Sequence, residues 1–551
     1  MQKLKFYTFV IFIIINAAIF PKVVYVAPDG NDTTNTGTID SPYWSVQKAQ
    51  SAVSAGDTVY IRGGEYTITE SDISNDDGTF ASVTYLNKSG KAGNLINYFA
   101  YTGEKPVFNL TAVKPSGRRV VGFRIACSYI HLKGIEITGV QVTITTHTES
   151  YCIYSNGNYN NNIFEQISMH DNVGTGLRYY KGGGNLFLNC DAYRNWDNVS
   201  ENQLGGNTDG FGCHPSTSGT GNVFKGCRSW FNSDDGFDII RSGAAVTFDS
   251  CWSFYNGYST SFQSLGDGNG FKAGGFAYDD STKIPNPVPR HIIEFCIATG
   301  NKANGFYANH HLAGNYWYNN SAYQNSTNFN MLNRPSREDA VNIDGPGYDH
   351  VLKNNLSYQK GLRDTANIDT SRNTLVTNSW QLNLSLTDSD FKSLNIDLLT
   401  SPRKVDGSLP DVDFMRPSPG SELIDAGTDI GFAFSGKAPD IGAIETDYPT
   451  EVKSFKNTTP NDIVLYQNYP NPFNPVTKIK YSIPERTNVL LTVYDILGTR
   501  VATLIDQQQN TGSYKVNFNP SLINGGISSG VYFYTLKTDA AIITKKLIYL
   551  K

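Results

Sequence analysis

A spacing of 24 residues constrains this chain more than any other feature. Cys227 and Cys251 are 24 residues apart, as are Cys296 and Asn320, and Gln166 and Cys190. Each stands at the same place in a short phrase. Apolar residues alternate, a polar residue or cysteine follows, and Asn or a near equivalent closes it, as in "NLFLNCDAYRN", "NVFKGCRSWFN", "VTFDSCWSFYN" and "YWYNNSAYQN". Two intervals are longer: 37 residues from Cys190 to Cys227 and 45 from Cys251 to Cys296. A base period broken by insertions marks a solenoid whose turns bulge into loops on one side. Short alternating segments, Gly and Asn turns and no helical periodicity make the chain all-β, a β-solenoid. The missing leucine pattern excludes a leucine-rich repeat, and a propeller needs a longer, more regular period.

In a solenoid, equivalent residues of successive coils stack in parallel register about 4.8 Å apart. That makes a second repeated phrase informative: Asp209-Gly210-Phe211-Gly212, Asp235-Gly236-Phe237-Asp238, Asn269-Gly270-Phe271-Lys272 and Asn304-Gly305-Phe306-Tyr307. The Gly-Phe pair is constant and its flanks change. If each block is one coil, Asp209 and Asp235 are stacked neighbours, and so are Asp238 and Lys272. Asp234 sits at the same corner. An Asp-Gly pair alone signals only a turn. Four carboxylates within a few ångströms, however, cannot all ionise without a cation. Oxygen ligands at flexible spacing suit Ca²⁺, so Asp209, Asp234, Asp235 and Asp238 are the predicted ligands.

Lys272 lies one coil from this group. A solvated lysine, with a pKa near ~10.4, is a poor base at neutral pH, but a nearby divalent cation favours the neutral amine. The combination points to abstraction of a proton α to a uronate carboxylate, followed by loss of the C4 glycosidic oxygen. Arg178, in Leu177-Arg178, fills the slot after the aromatic position two coils before Lys272 and could contact an acidic sugar. Arg241 is a second candidate contact, and His310, His311, Arg334 and Arg337 are weaker ones.

At 551 residues the chain exceeds one ordinary core. Residues 1–22 read as a signal peptide: a basic start, then an apolar run from Phe6 to Phe20, shorter than the ~20 residues a spanning helix needs. Val24 to Tyr66 reads as strand, turn, helix (Ser45 to Ala55) and strand, capping the first core. The solenoid is placed at residues 23–445 and a polar linker at 446–462. Residues 463–551 alternate strands with Asn-Pro and Gly turns, a small β-sandwich. Four of the seven cysteines fall in one repeat column, which suits small buried residues better than bridges, so few or no disulfides are expected. A net charge of −5 with no basic tail excludes nucleic acid as the partner. A monomer is expected.

The solenoid, Asp209, the Asp234-Asp235-x-x-Asp238 group and "DGNGFKAGG" around Lys272 resemble the pectate lyases of polysaccharide lyase family nine, over roughly Tyr25 to Tyr358. The resemblance implies a right-handed parallel β-helix, Ca²⁺ bound by these aspartates, Lys272 as the base, and an acidic plant-type polysaccharide such as polygalacturonate as substrate. The segment "SELIDAGTDIGFAFSGKAPDIGAIE" resembles the closing strands of secreted β-helix proteins. The tail, with "LYQNYPNPFNPVTKIKYSIPE" and "SGVYFYTLKT", resembles the type A C-terminal sorting domain of the type IX secretion system. That implies the secretion machinery as a partner, and release outside the cell or attachment to its surface. Two rival functions are weighed. A polygalacturonase-type hydrolase is imitated by "NTDG" and the Asp234-Asp235 pair, but its Gly-His-Gly and Arg-Ile-Lys motifs are absent. In a Ca²⁺-stabilised adhesin or glycan-binding solenoid, the aspartates would be structural and Lys272 incidental.

Overall fold

The computed structural model describes residues 21–147, 149–276, 279, 281–336, 344–448, 463–520, 523 and 527–550. The expected signal peptide therefore lies outside the described residues except for Pro21 and Lys22, and the expected linker lies outside them from residue 449 onward. The chain divides into two compact units, the second made of Tyr448 onward together with Gly431–Ala433 and the first of the rest. The first is a solenoid of three sheets with 12, 10 and 11 strands, pairing parallel except at Asn75–Asp76. Each complete coil contributes one strand to each sheet. The first strand, Val23–Val26, already pairs in register with Thr58–Ile61, so the N-terminal segment is part of the coil as well as its cap. The helix is Val46–Ala52. The Ser45 hydroxyl caps it by accepting the Lys48 N–H (3.0 Å), and Val46, Ala49 and Val53 are fully covered.

The register reproduces the intervals of 37, 24, 45 and 24 residues, with Leu186 on Val223, Val223 on Thr247, Thr247 on Ile292 and Ile292 on Tyr316. The first interval is corrected. Ile163 pairs with Leu186 and Ser168 with Asp191, a step of 23, so Gln166 matches Asn189 and the counterpart of Cys190 is Ile167.

Like residues stack on like. Phe211, Phe237, Phe271, Phe306 and Phe329 form one interior column with ring centroids 5.1, 4.8, 5.2 and 4.9 Å apart. Burying each ring contributes about 1.5–3 kcal/mol. The glycine before each of the first four is steric: a Cβ on Gly210 would meet Ser229 Oγ at 2.2 Å, and one on Gly270 would meet the Gly305 carbonyl oxygen at 2.5 Å. All seven cysteines are free and buried. Those of the repeat column point their thiols at backbone carbonyls, as Cys190 does toward Phe164 O (3.4 Å) and Cys227 toward Phe187 O (3.3 Å).

Coil corners are held by side-chain ladders. Asn172, Asn195, Asn232, Asn256, Asn301 and Asn325 each donate Nδ2–H to, or accept at Oδ1 from, the next rung at 2.8–3.1 Å. Another corner carries Asn162, Asn185 and Asn222, and later mixes Asn with His. Val246 N–H donates to His291 Nδ1 (3.2 Å), His291 N–H to Asn315 Oδ1 (2.9 Å), Asn315 N–H to His350 Nδ1 (2.8 Å) and His350 N–H to Asn373 Oδ1 (2.8 Å). A histidine can replace an amide oxygen only as a neutral ring with a bare Nδ1. Burial pushes His291 well below the usual histidine range and, with help from His311 and Arg290, pushes His350 down to about 3.

The expected closing strands at 421–445 do not form. Residues 379–446 carry only short 3₁₀ turns and isolated bridges, and run back across the 10-stranded sheet. Phe391, Leu399, Phe414, Leu423 and Ile441 pack there on Trp230, Trp252, Phe254 and Leu356. One carboxylate pins this return: Asp191 pairs with Arg228 (2.8 Å) and Arg403 (2.6 Å), and Arg228 Nη1 donates to Leu399 O and Ser401 O. Trp230, Trp252 and Phe254 are buried beneath this return, whose packing on the sheet takes the place of strand pairing. The second unit holds two antiparallel sheets, of three and four strands, over a core that includes Ile479, Tyr481, Leu491, Tyr534 and Leu536.

The mixed ladder sets a pH dependence. Above the unfolded value of 6.5, His350 is neutral in both states and its ladder bond counts in full. Below it the unfolded ring takes a proton that the folded ring refuses until about pH 3, so stability falls as pH falls through this window. His350→Asn keeps the acceptor without the titration. Urea unfolding across that window should show a shallower acid loss, by about 1.4 kcal/mol per pH unit. An unchanged slope would remove His350 from the acid response.

Candidate active site

The outer face of the 11-stranded sheet carries the departures from repetition. One outward row reads Arg178, Gly212, Asp238, Lys272 and Tyr307, in direct register. Beside it, at the corner entering each strand, runs another ladder: Asp209, Asp235, Asn269 and Asn304. Asp235 N–H donates to Asp209 Oδ1 (3.3 Å). Asn269 donates both N–H (2.7 Å) and Nδ2–H (2.8 Å) to Asp235 Oδ1, and Asn304 Nδ2–H donates to Asn269 Oδ1 (2.7 Å). In an Asn rung, Nδ2 gives a hydrogen to the rung before. In an Asp rung an oxygen stands in its place and has none to give. Accordingly Asp209 Oδ2 and Asp235 Oδ2 are buried and receive no aligned hydrogen bond.

Asp234 completes the group. Its Oδ2 accepts Asn207 N–H (2.6 Å) and its Oδ1 accepts Asp267 N–H (2.8 Å). Asp209, Asp234 and Asp235 each offer a carboxylate oxygen, all within 4.8 Å of one another. Asp238 does not join that set. Its Oδ1 accepts Ile240 N–H (2.7 Å), and its Oδ2 lies 3.6 Å from Lys272 Nζ, which is also 3.0 Å from Asp235 Oδ2. Burial raises the trio: Asp209 stands well above the usual carboxylate range, with the other aspartates adding to the effect of burial, and Asp234 reaches about 7, through burial and Asp235. Burial also opposes the Lys272 charge, but Asp235 and Asp238 outweigh it and hold the ammonium well above the ordinary lysine value. Lys272 in turn, against the pull of burial, keeps Asp238 below its ordinary range. Buried hard oxygens, two of them facing a cationic side chain without an aligned hydrogen bond, fit a divalent cation such as Ca²⁺.

The structure thus gathers Asp209, Asp234, Asp235, Asp238 and Lys272 at one place. Arg178 is there as well, but three coils before Lys272 rather than two, because the Gly212 coil intervenes. Its Nη2 lies 3.3 Å from Asp209 Oδ2. Arg241 is not part of the cluster. Its guanidinium is exposed and pairs with Asp279 (2.6 Å), whose carbonyl accepts from Arg334 (2.8 Å). His310 pairs with Asp344 (2.6 Å). His311 is fully buried and bonds Pro289 O, so it does not line a groove. Arg337 lies outside the described residues. Two participants escaped the sequence reading. Asn269 was visible as the next rung of the ladder. His214 was signalled only by period-two alternation, which puts it on the face of Gly212; it bonds Arg178 Nη1 at 2.7 Å.

A family model described as "Pel9A-like, right handed beta helix region" matches residues 24–355, and one described as "Secretion system C-terminal sorting domain" matches residues 467–550. Among curated relatives, a pectate lyase L of Dickeya dadantii is 34% identical over 431 residues, 77% of this chain and 90% of its own length. Pectate lyase PEL9 of Emericella nidulans is 30% identical over 442 residues, 74% of this chain and 96% of its own. Among solved structures, a rhamnogalacturonan lyase is 40% identical with a TM-score of 0.70, over 73% of this chain and 98% of that one. The pectate lyase Pel9A is 33% identical with a TM-score of 0.61, over 78% and 97%.

The ladder makes a prediction with an unusual sign. Asp235→Asn restores an amide rung and removes one of the crowded carboxylates. In chelator, the variant should be more stable than the parent by roughly 1–3 kcal/mol in thermal or urea unfolding. It should also gain less stability from added divalent cation. A variant less stable than the parent in chelator would show that the Asp235–Lys272 pair outweighs carboxylate repulsion.

Proposed function

Because this chain belongs to the Pel9A-like right-handed β-helix family, we propose that it is a secreted polysaccharide lyase cleaving a galacturonate-containing pectic polymer by β-elimination, with Lys272 as the base and Ca²⁺ held by Asp209, Asp234, Asp235 and Asp238. The observation that carries the reading is Lys272, directly over Asp238 in the outward row and paired with Asp235. The sorting domain makes the protein a cargo of the type IX secretion machinery, extracellular or at the cell surface. The same reading divides the chain into signal peptide 1–22, catalytic domain 23–445, linker 446–462 and sorting domain 463–551, and the two matched regions support that division.

Bound at the aspartates, Ca²⁺ would withdraw charge from the uronate carboxylate and acidify the C5 proton. A cation engaging these carboxylates would offset the charge that otherwise keeps Lys272 protonated. As the neutral amine, Lys272 Nζ takes that proton, the C5–H electron pair forms the C4–C5 double bond, and the C4–O bond breaks, its oxygen receiving a proton from solvent. Asp235 and Asp238 aim the amine, whose side chain is only 14% exposed, toward the outer face. Hydrolysis fits less well. Paired acid and base carboxylates face each other across the bond, whereas Asp209, Asp234 and Asp235 converge on one another, an oxygen of each within 4.8 Å of the others.

Two polymers compete. The curated relatives named pectate lyase support polygalacturonate, while the 40% identity to a rhamnogalacturonan lyase favours an alternating rhamnose–galacturonate backbone. Both should be offered to the full chain, following ultraviolet absorbance of the unsaturated product. Activity on at least one is expected, with loss in chelator. Reducing ends without unsaturation would replace the lyase by a hydrolase, and no product from any uronate polymer would favour a glycan-binding solenoid. Lys272→Ala should lower turnover by about 10²–10⁴-fold and leave calcium binding, read by calorimetry, largely intact. Loss of both together would sink this division of labour.

A further inference from the structure

Resting on that reading, we infer that His214 and Arg178 are a positioning pair for the cation site: His214 holds the Arg178 guanidinium over Gly212, so that it fixes the carboxylate of Asp209. Arg178 Nη1 donates to His214 Nε2 at 2.7 Å, and Nη2 faces Asp209 Oδ2, one of the two oxygens without an aligned donor, at 3.3 Å. The imidazole is oriented from its other side. His214 Nδ1 lies 2.7 Å from Ile240 O, and a carbonyl can only accept, so Nδ1 carries the hydrogen and Nε2 is left bare for the guanidinium. Ile240 then donates its own N–H to Asp238 Oδ1 (2.7 Å). One chain of contacts therefore joins two aspartates of the site through Arg178, His214 and the backbone of a single residue, Ile240. Tyr180 packs on the imidazole with ring centroids 5.0 Å apart. Burial, reinforced by Arg178, pushes His214 down to about 4, so the ring stays uncharged.

Gly212 makes the room. It occupies the slot that holds Asp238 and Lys272 in the next two coils, and a Cβ there would lie 2.8 Å from Arg178 Cδ, 3.0 Å from Nη1 and 3.1 Å from His214 Nε2. The missing side chain is the space through which the arginine reaches the coil above. With 10% of its side chain exposed and both Nη groups engaged, the guanidinium acts on the polymer through Asp209. Outer-shell partners of this kind orient ligand atoms before the metal arrives.

The test titrates Ca²⁺ into the full-length parent, His214→Ala and Gly212→Ala by isothermal calorimetry, with polymer kinetics at saturating Ca²⁺. Gly212→Ala removes no polar group, and it keeps the test decisive if His214→Ala fails to fold. Each folded variant should bind Ca²⁺ about 10–100-fold more weakly, while saturating Ca²⁺ restores kcat and leaves KM for the polymer within about twofold of the parent. Parent-like Ca²⁺ affinity in the folded variants would overturn the inference. So would a raised KM at saturating Ca²⁺ with unchanged Ca²⁺ affinity, which would make Arg178 a substrate contact. A parent that binds no Ca²⁺ overturns the cation reading itself, and the inference with it.

Discussion

Parallel in-register stacking governs this molecule. With coils about 4.8 Å apart, the nearest neighbour of any side chain is its own counterpart in the next coil. Residues that tolerate their own kind prosper under that rule. Phe stacks on Phe along the interior, and each Asn donates from Nδ2 to the Oδ1 of the next rung. Aspartate is the residue that the rule treats worst, because a carboxylate set above a carboxylate repels and has no hydrogen to share. Asp209 and Asp235 occupy rungs of an amide ladder that continues through Asn269 and Asn304. The site is thus made from the scaffold's own device by exchanging an amide nitrogen for an oxygen at two successive rungs.

The histidines show the opposite exchange. At another corner His291 and His350 take the acceptor role of asparagine without leaving charge behind, since burial keeps both rings neutral. The same kind of corner ladder therefore accepts a neutral substitute silently and turns an ionised one into a cation site. Lysine at position 272 follows the same logic in reverse: set above Asp238 and beside Asp235, it is a positive residue placed where the stack has accumulated negative ones.

Much of this was readable from the chain because the Gly-Phe pair is constant. A fixed inward aromatic dates each coil, and the residues flanking it fall into register by counting. That is why spacing alone groups the four aspartates with Lys272. The differences from the structure are local. The coil entered at Ile163 is one residue short, which moved Cys190 from Gln166 to Ile167. Arg178 lies three coils from Lys272 rather than two, because the coil of Phe211 and Gly212 stands between Arg178 and Asp238. His214 stands where no other coil repeats a histidine, and its value depends on the partner offered by Gly212's missing side chain. The return segment at 379–446 has no period at all, because it answers to the sheet that it covers rather than to a coil of its own.

That segment changes the mechanics of the whole array. An open solenoid is a one-dimensional stack in which each coil touches only its neighbours, so it can fray or open locally from an end. Here residues near position 400 are bonded across gaps of 171 to 213 positions to the coils of Asp191 and Arg228. They also pack on aromatics of successive coils along one sheet. The late chain thereby acts as a batten nailed across the planks: no single plank can lift without lifting the batten. The coils that carry the aspartates lie beneath that span, so their spacing is set by the array as a unit rather than by each coil alone.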